Sequence, residues 1–433
     1  MKLYSTNNKS LRVDFKEAVF NSLPADKGLY MPLTIPKLDD MFIANIHQYS
    51  FQEIAFKVAQ ALLQDEIPEN DLRRIVSEAA NFLAPAVKLD DKTYVLELFH
   101  GPSSAFKDFG ARFMSRVMSY FMKEGEKKLD ILVATSGDTG GAVALGFLNV
   151  PNTRVTILYP KGGVSPVQEL QLVTNGNNIR ALEINGTFDD CQALVKQAFA
   201  DPELNKNLRL TSANSINIAR LIPQTFYYFN AYAQLKAQGK DDVVFSVPSG
   251  NFGNIAAGII AWKMGLPVKQ FLAATNVNDT VPEFLKTGKY LPKASVPTLS
   301  NAMDVGNPSN WVRIMDMLGD YEGLRKLMLG YRFTDEQTAG AIEEIYSRFN
   351  YIVCPHTAVA WLAVEEWRKT NDHAAAVFLA TAHPFKFPNV FPEHLADKIE
   401  IPEQVEAMKN KPRYVEQFNN DFIQFKDYLL TNL

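Results

Sequence analysis

The stretch ILVATSGDTGGAVALGFLN, residues 131–149, decides the fold. ILVAT reads as a strand, SGDTGG supplies the residues of a tight turn, and AVALGFLN continues as a helix. The same texture runs outward in both directions. TYVLELF (93–99) reads as a strand, followed by a loop and the helix FGARFMSRVMSYFMK (109–123). RVTILY (154–159) leads through a loop to SPVQELQLV, and IRALEI (179–184) leads through NGTFDD to CQALVKQAFA. In that last turn Thr187 and Asp190 have the spacing of a capping box. LRLTSA (208–213), VVFSV (243–247), QFLAATN (270–276) and AAVFLATA (375–382) supply further strands. Strand–turn–helix repeated this often predicts an α/β protein, with parallel sheets flanked by helices and ligands beyond the strand C-termini.

The flanks differ from this middle region. FQEIAFKVAQALLQ (51–64) and Glu69 to Phe82 carry apolar residues at helical spacing, so the chain up to about Ala84 reads as helical. Pro85 and the charged segment Lys88 to Lys92 mark a boundary. From Glu393 the chain is polar and reads as a helical tail packed on the body. The expected division is a mainly helical N-terminal domain over residues 1–90, an α/β region of two subdomains over 91–390, and a tail over 391–433.

Composition narrows the function classes. The 433 residues carry 44 Lys and Arg against 48 Asp and Glu, a net charge of −4, with no basic excess for a nucleic-acid surface. Hydrophobic residues at 47% and charged residues at 21% fit a globular chain whose core needs no metal or disulfide staple. The longest strongly apolar stretch, Ala374 to Ala382, falls well short of the roughly 18 residues that span a bilayer. MKLYSTNNKS has no apolar run behind its lysine and does not read as a signal peptide. Cys191 and Cys354 lie far apart without a C-x-x-C, which suits a reducing cytoplasm. The expected partner is a small molecule, with no nucleic acid and no membrane. A monomer and a dimer are both open.

Three strand–helix junctions are rich in small polar residues: Ser136 to Gly141, Pro248 to Asn254, and Ser212 to Asn217 followed by Arg220. Glycine admits a ligand close to the backbone, helix N-termini attract anions, and a guanidinium clamps them. None is a G-x-G-x-x-G fingerprint or a P-loop, and each turn alone is what any α/β fold uses. Three on one sheet edge point to two anionic groups.

Lys107, in HGPSSAFKDFG, sits between Phe106 and Phe109 just after a strand end and at a helix start. Desolvation and the helix N-terminus both disfavour its ammonium form, and a neutral amine can attack a carbonyl and later move protons. The bland alternative is a snorkelling lysine paired with Asp108. Thr381, at a strand C-terminus, is either a buried β-former or a hydroxyl facing a ring nitrogen. The six histidines show no H-E-x-x-H or other close ligand spacing, so no metal is expected. His100 and His383 read as hydrogen-bonded loop residues at strand ends. No G-x-S-x-G elbow anchors a hydrolase triad.

FHGPSSAFKDFG, ATSGDTGGA, NSINIAR, VPSGNFGN, CPHTAVA and ATAHPFKF together resemble the threonine synthase family, in its longer microbial and fungal-type subgroup. That family lies within the fold-type II pyridoxal-phosphate enzymes. The likeness covers nearly the whole chain, and AVFNSLPADKGLYMP resembles the family's N-terminal domain. The resemblance implies a lyase of amino-acid biosynthesis with pyridoxal 5'-phosphate as cofactor. Its reaction turns O-phospho-L-homoserine and water into L-threonine and phosphate, by γ-elimination of phosphate and β-addition of water. Lys107 matches the lysine that carries the cofactor. Ser249, Gly250, Asn251, Phe252, Gly253 and Asn254 match the loop that cradles the cofactor phosphate, and Thr381 matches the hydroxyl residue facing the pyridine nitrogen. Asp138 falls where many shorter members carry Asn beside the phenolic oxygen. Ser136, Thr139, Asn214, Ser215 and Arg220 match the substrate region, with Ser215 and Arg220 assigned to its phosphate. The alternatives are a serine/threonine dehydratase-like lyase, a non-catalytic phosphate-ligand-binding relative and, more remotely, a nucleotide-binding α/β protein.

Overall fold

Continuous apolar runs become interior strands. Leu129–Ala134 (LDILVA) and Ala375–Ala380 (AAVFLA) are buried at every position, as strands covered by helices on both faces must be. The computed structural model describes residues 1–123, 125–371 and 373–433. In chain order its strands are β1 (Lys2–Ser5), β2 (Val13–Asp14), β3 (Tyr30–Pro32), β4 (Ala86–Lys88), β5 (Thr93–Glu97), β6 (Leu129–Ala134) and β7 (Thr153–Pro160). There follow β8 (Ile179–Asn185), β9 (Leu210–Ser212), β10 (Val243–Pro248), β11 (Gln270–Thr275), β12 (Met328–Arg332), β13 (Ala375–Ala380) and β14 (Val415–Asn419).

One sheet has the order β12-β11-β10-β13-β5-β4, parallel except for β4, which runs antiparallel to β5. The second, β14-β8-β7-β6-β9, is parallel throughout. All eight strands read from the sequence between residues 93 and 382 are present, their ends shifted by up to two residues. The capping box of Thr187 and Asp190 forms as read. The helix after the first loop starts two residues earlier than expected, at Lys107, and runs to Phe121.

The flanks gain strands that the sequence reading lacked. Helices Phe51–Leu63 and Glu69–Ala79 form as expected, but ahead of them β1 to β3 make a small antiparallel sheet in the order β2-β1-β3. In the tail, β14 extends the second sheet beside β8 and buries Phe418 before the last helix, Phe422–Asn432. β4, β12 and β14 are edge strands with partly exposed faces, and β1 to β3 have two to four residues each. Such segments show neither a continuous apolar run nor a full alternating period. No helix among the described residues is long and apolar enough to cross a membrane.

Candidate active site

The C-terminal ends of both parallel sheets meet at one cavity. Lys107 reaches it because the loop before its helix is stitched to the segment after β13. Phe106 N–H donates to Thr381 O (2.9 Å), His383 N–H donates to Ser104 O (3.1 Å), and Ala105 bridges Ala382. Lys107 and Thr381 therefore line the same cavity, with Asp138, Thr139, Ser215, Arg220 and the whole turn Ser249–Asn254. Ser136 and Asn214 line an adjoining pocket that shares Lys107, Thr139, Ser215 and Asn251. Every residue picked from the sequence is thus within this one region.

The amine of Lys107 has no carboxylate partner at ion-pair distance among the described residues. Asp108, its sequence neighbour, turns away and accepts from Ser103 N–H (2.9 Å). Phe106 lies with its ring centroid 5.9 Å from Lys107 Nζ, whereas Phe109 packs into a separate aromatic cluster with Phe51, Phe82 and Tyr227. The exposed part of Lys107 opens on the cavity. Burial lowers its pKa to about 8, with Asp138 opposing the shift and Arg220 and Lys386 adding to it.

Asp138 begins the helix after β6 and is buried. Its Oδ1 sits 2.8 Å from Nζ of Lys386 and accepts from Gln168 Nε2 (2.9 Å). Burial pushes this carboxyl up, but Lys386, Lys107 and His356 together hold it well below the usual range. Gly137 is required just before it: φ is +128°, and a Cβ would strike the Gln168 carboxamide within 2.5 Å. His356 also lines the cavity. Its Nε2 accepts from Ala302 N–H (3.2 Å), and burial lowers its pKa to about 4, so the ring is neutral near pH 7.

The turn after β10 is a cradle of backbone and neutral donors. Phe252 adopts a left-handed φ of 58°, held edge-on against Trp311, and the helix Gly253–Lys263 starts immediately after it. Gly250 is needed because a Cβ there would lie 2.8 Å from Ala302 O. Oδ1 of Asn254 accepts from Tyr227 and Tyr228 hydroxyls, both at 2.7 Å, which leaves its buried Nδ2 without a partner. That orphan donor, beside free helix N–H groups, fits a bound phosphate.

The turn after β9 is built differently. Arg220 is 2% exposed, donates to Ala213 O, and forms no ion pair among the described residues. Burial lowers its pKa to about 10, still far above neutrality. A second arginine, Arg313, is fully buried behind the turn and donates to Ile216 O (2.6 Å), Asn310 Oδ1 (2.6 Å) and Tyr30 O (3.2 Å). Neither guanidinium has a carboxylate partner among the described residues. Arg220 lines the cavity as a buried cation without an ion-pair partner among the described residues, which is costly unless an anion arrives.

Sequence reasoning missed His356 and Gln224 in the cavity wall, where Gln224 Nε2 donates to Arg220 O (2.7 Å), and Lys386 and Arg313 behind it. His356 lies in CPHTAVA and Lys386 in ATAHPFKF, both stretches that carry the family resemblance, and each is a basic residue inside an apolar or aromatic run. Arg313 has no such signal, because its role depends on contacts distant in sequence. His100 pairs with Glu97 (2.7 Å) and His383 caps the turn at Phe385 (3.3 Å), the loop roles expected of them.

The arrangement fits pyridoxal phosphate. A desolvated amine stands near a phosphate cradle with an unpaired donor, and a neutral hydroxyl at Thr381 lines the same cavity. Among the described residues no group of His, Cys, Asp and Glu is placed to hold a metal ion.

Comparison with known proteins agrees with this chemistry. The family model described as pyridoxal-phosphate dependent enzyme matches residues 78–382. Models of the threonine synthase N terminus and C-terminal region match residues 2–80 and 357–429. Threonine synthase of Haemophilus influenzae is 44% identical over 434 residues, covering 99% of this chain and 100% of the relative. The crystal structure of threonine synthase from Escherichia coli superposes with a TM-score of 0.92 at 41% identity, covering both chains completely. The structure of PLP-bound threonine synthase from Brucella melitensis superposes with a TM-score of 0.90 at 35% identity, covering 100% of this chain and 99% of that one. These matches favour the main reading over a dehydratase-like lyase.

Proposed function

The chain belongs to the threonine synthase family, and we propose that the residues around Lys107 carry out that family's reaction, the conversion of O-phospho-L-homoserine and water to L-threonine and phosphate. It is a pyridoxal-phosphate-dependent enzyme of amino-acid biosynthesis. One observation carries the residue assignment: a desolvated amine shares its cavity with two anion turns, one neutral and one holding an unpaired cation.

When bound, the cofactor supplies the electron sink that makes the substrate's Cα and Cβ protons removable. Ser249 to Asn254 would hold its phosphate, and Thr381 would offer the ring nitrogen a neutral hydroxyl. Lys107 Nζ, an amine near pKa 8, moves protons at Cα and Cβ. Ser215 and Arg220 hold the substrate phosphate and stabilise it as it leaves the γ carbon, which ends as a methyl group. Ser136, Thr139 and Asn214 line the substrate side. Water adds its oxygen at Cβ. His356 lines the cavity as a neutral ring near pH 7, because burial lowers its pKa to about 4.

We assign residues 1–90 and 391–433 as domains flanking a catalytic region over 91–390, and place the enzyme in the cytoplasm. The free, buried thiols of Cys191 and Cys354 support that location.

The test is direct. Purified protein loaded with pyridoxal phosphate is expected to absorb in the visible, and borohydride is expected to fix the cofactor on the peptide containing Lys107. Phosphate release is then compared for O-phospho-L-homoserine with ammonia release from serine and threonine. A colourless protein, or cofactor fixed elsewhere, overturns the assignment.

A further inference from the structure

We propose that Lys386 is a positioning residue for the reaction: by pairing with Asp138 it makes the carboxylate beside Lys107 one half of a neutral pair, so that an aspartate acts there as a neutral side chain would. The inference rests on the proposed function, in which Lys107 carries the cofactor.

Lys386 is completely buried, an unusual state for a lysine. Its Nζ lies 2.8 Å from Asp138 Oδ1 and donates to Ser103 O (2.8 Å). The backbone around it is fixed from the opposite side, where Ser165 Oγ donates to Lys386 O (2.5 Å). Gln168, on the same short helix as Gln171, donates to the same Asp138 oxygen, and Gln171 donates to the same Ser103 carbonyl. The pair is therefore enclosed by groups from four segments that meet only in the fold.

Asp138 lines the cavity with Lys107, while Lys386 stands behind it and does not. Alone, a carboxylate at that place would favour a proton on Lys107 and on any imine nitrogen formed there. It would also repel the oxyanions of cofactor and substrate. Paired with Lys386, its field at Lys107 is partly offset, while its oxygen stays in place as an acceptor. The charged groups acting on Lys107 are Asp138, which favours its ammonium form, and Arg220 and Lys386, which oppose it, with His356 neutral. Those facing Lys386 are Asp138, Asp108, His356 and His383. Removing either partner of the pair thus changes the charge seen by Lys107, in opposite directions.

The experiment titrates the visible absorbance of cofactor-loaded enzyme against pH in wild type, Lys386→Met, Asp138→Asn and the double variant. Lys386→Met is expected to move the midpoint up by about one pH unit or more, and Asp138→Asn to move it down by a similar amount. The double variant is expected to return close to wild type. A purely structural ion pair would lower stability in both single variants without opposite spectral shifts that cancel. Should Lys386→Met fail to fold, Asp138→Asn and the double variant still decide. An unmoved midpoint in Asp138→Asn, or a double variant displaced as far as a single one, overturns the proposal. Absence of visible absorbance in the wild type would instead overturn the functional assignment itself.

Discussion

The two anion turns of this protein solve the same problem in opposite ways. The turn Ser249–Asn254 offers backbone N–H groups, a helix start and the neutral Asn254 amide, with no cation of its own. The turn Ser212–Asn217 stands beside the buried Arg220 and, behind it, Arg313, neither with a carboxylate partner among the described residues. A permanent ligand can be held by neutral donors, because it is present whenever the enzyme works and its charge is always met. A transient phosphate that must be bound, released and replaced needs a strong field, which the buried Arg220 in the cavity wall would supply at the cost of its desolvation between turnovers. On the proposed assignment, the difference separates a cofactor seat from a substrate seat.

Lys107 lies between the seats, so its loss should disable both. Lys107→Ala is expected to abolish the visible absorbance and lower turnover by about 10³-fold or more. The same amine gives a pH signature without cofactor. Its folded pKa of about 8 is depressed from 10.5, so below pH 8 the folded state carries a buried ammonium that the unfolded chain would rather solvate. Stability relative to Lys107→Met is therefore expected to rise between about pH 8 and 10.5, by about 3 kcal/mol in all. Unfolding curves of cofactor-free protein across that range check it, and a flat difference would contradict the burial of the amine.

Arg220→Ala should break the seats apart. Turnover efficiency on O-phospho-L-homoserine is expected to fall about 10²- to 10³-fold while cofactor absorbance stays. Simultaneous loss of cofactor would mean that the arginine serves both anions. Asn254→Asp tests the other seat with less disturbance, since Asp keeps the acceptor for the Tyr227 and Tyr228 hydroxyls. It replaces the unpaired donor with a carboxylate oxygen, and the cofactor's dissociation constant is expected to rise about tenfold or more, read by equilibrium titration of the colour. A larger effect on substrate KM than on cofactor binding would reverse the two assignments.

How much of this was legible depends on what a short window of sequence can encode. Both turns were, because glycine, asparagine and serine after an apolar run mark a strand–helix junction wherever it occurs. Lys107 stood out through its aromatic neighbours, although only Phe106 faces the amine and Phe109 belongs to a distant cluster. The edge strands β12 and β14 escaped because half their side chains meet water. Arg313 escaped because its partners Tyr30 O and Ile216 O are distant in sequence. The pairing of Asp138 with Lys386 spans most of the chain, and no local pattern announces it.

The first ninety residues hold the turn proposed to seat the substrate directly, by hydrogen bonds to its backbone and side chains. Ser22, buried between the first helix and β9, donates to Ser212 O (2.9 Å) and lies 2.8 Å from the Thr211 hydroxyl. It also accepts from Ser212 N–H (3.0 Å) and Asn217 Nδ2 (2.9 Å), while Asn217 Nδ2 reaches Val19 O (2.8 Å). Tyr30 O accepts from Arg313 on the far side of the same turn. The N-terminal region thus grips the substrate turn from two sides. Ser22→Ala removes one grip without touching the cavity, leaving buried partners unpaired at a cost of about 1–2 kcal/mol of stability. The looser turn is expected to raise KM for O-phospho-L-homoserine by about two- to fivefold and leave cofactor affinity unchanged. An equal loss of affinity for cofactor and substrate would show that the grip stabilises the whole cleft, and the two seats would then not be independently built.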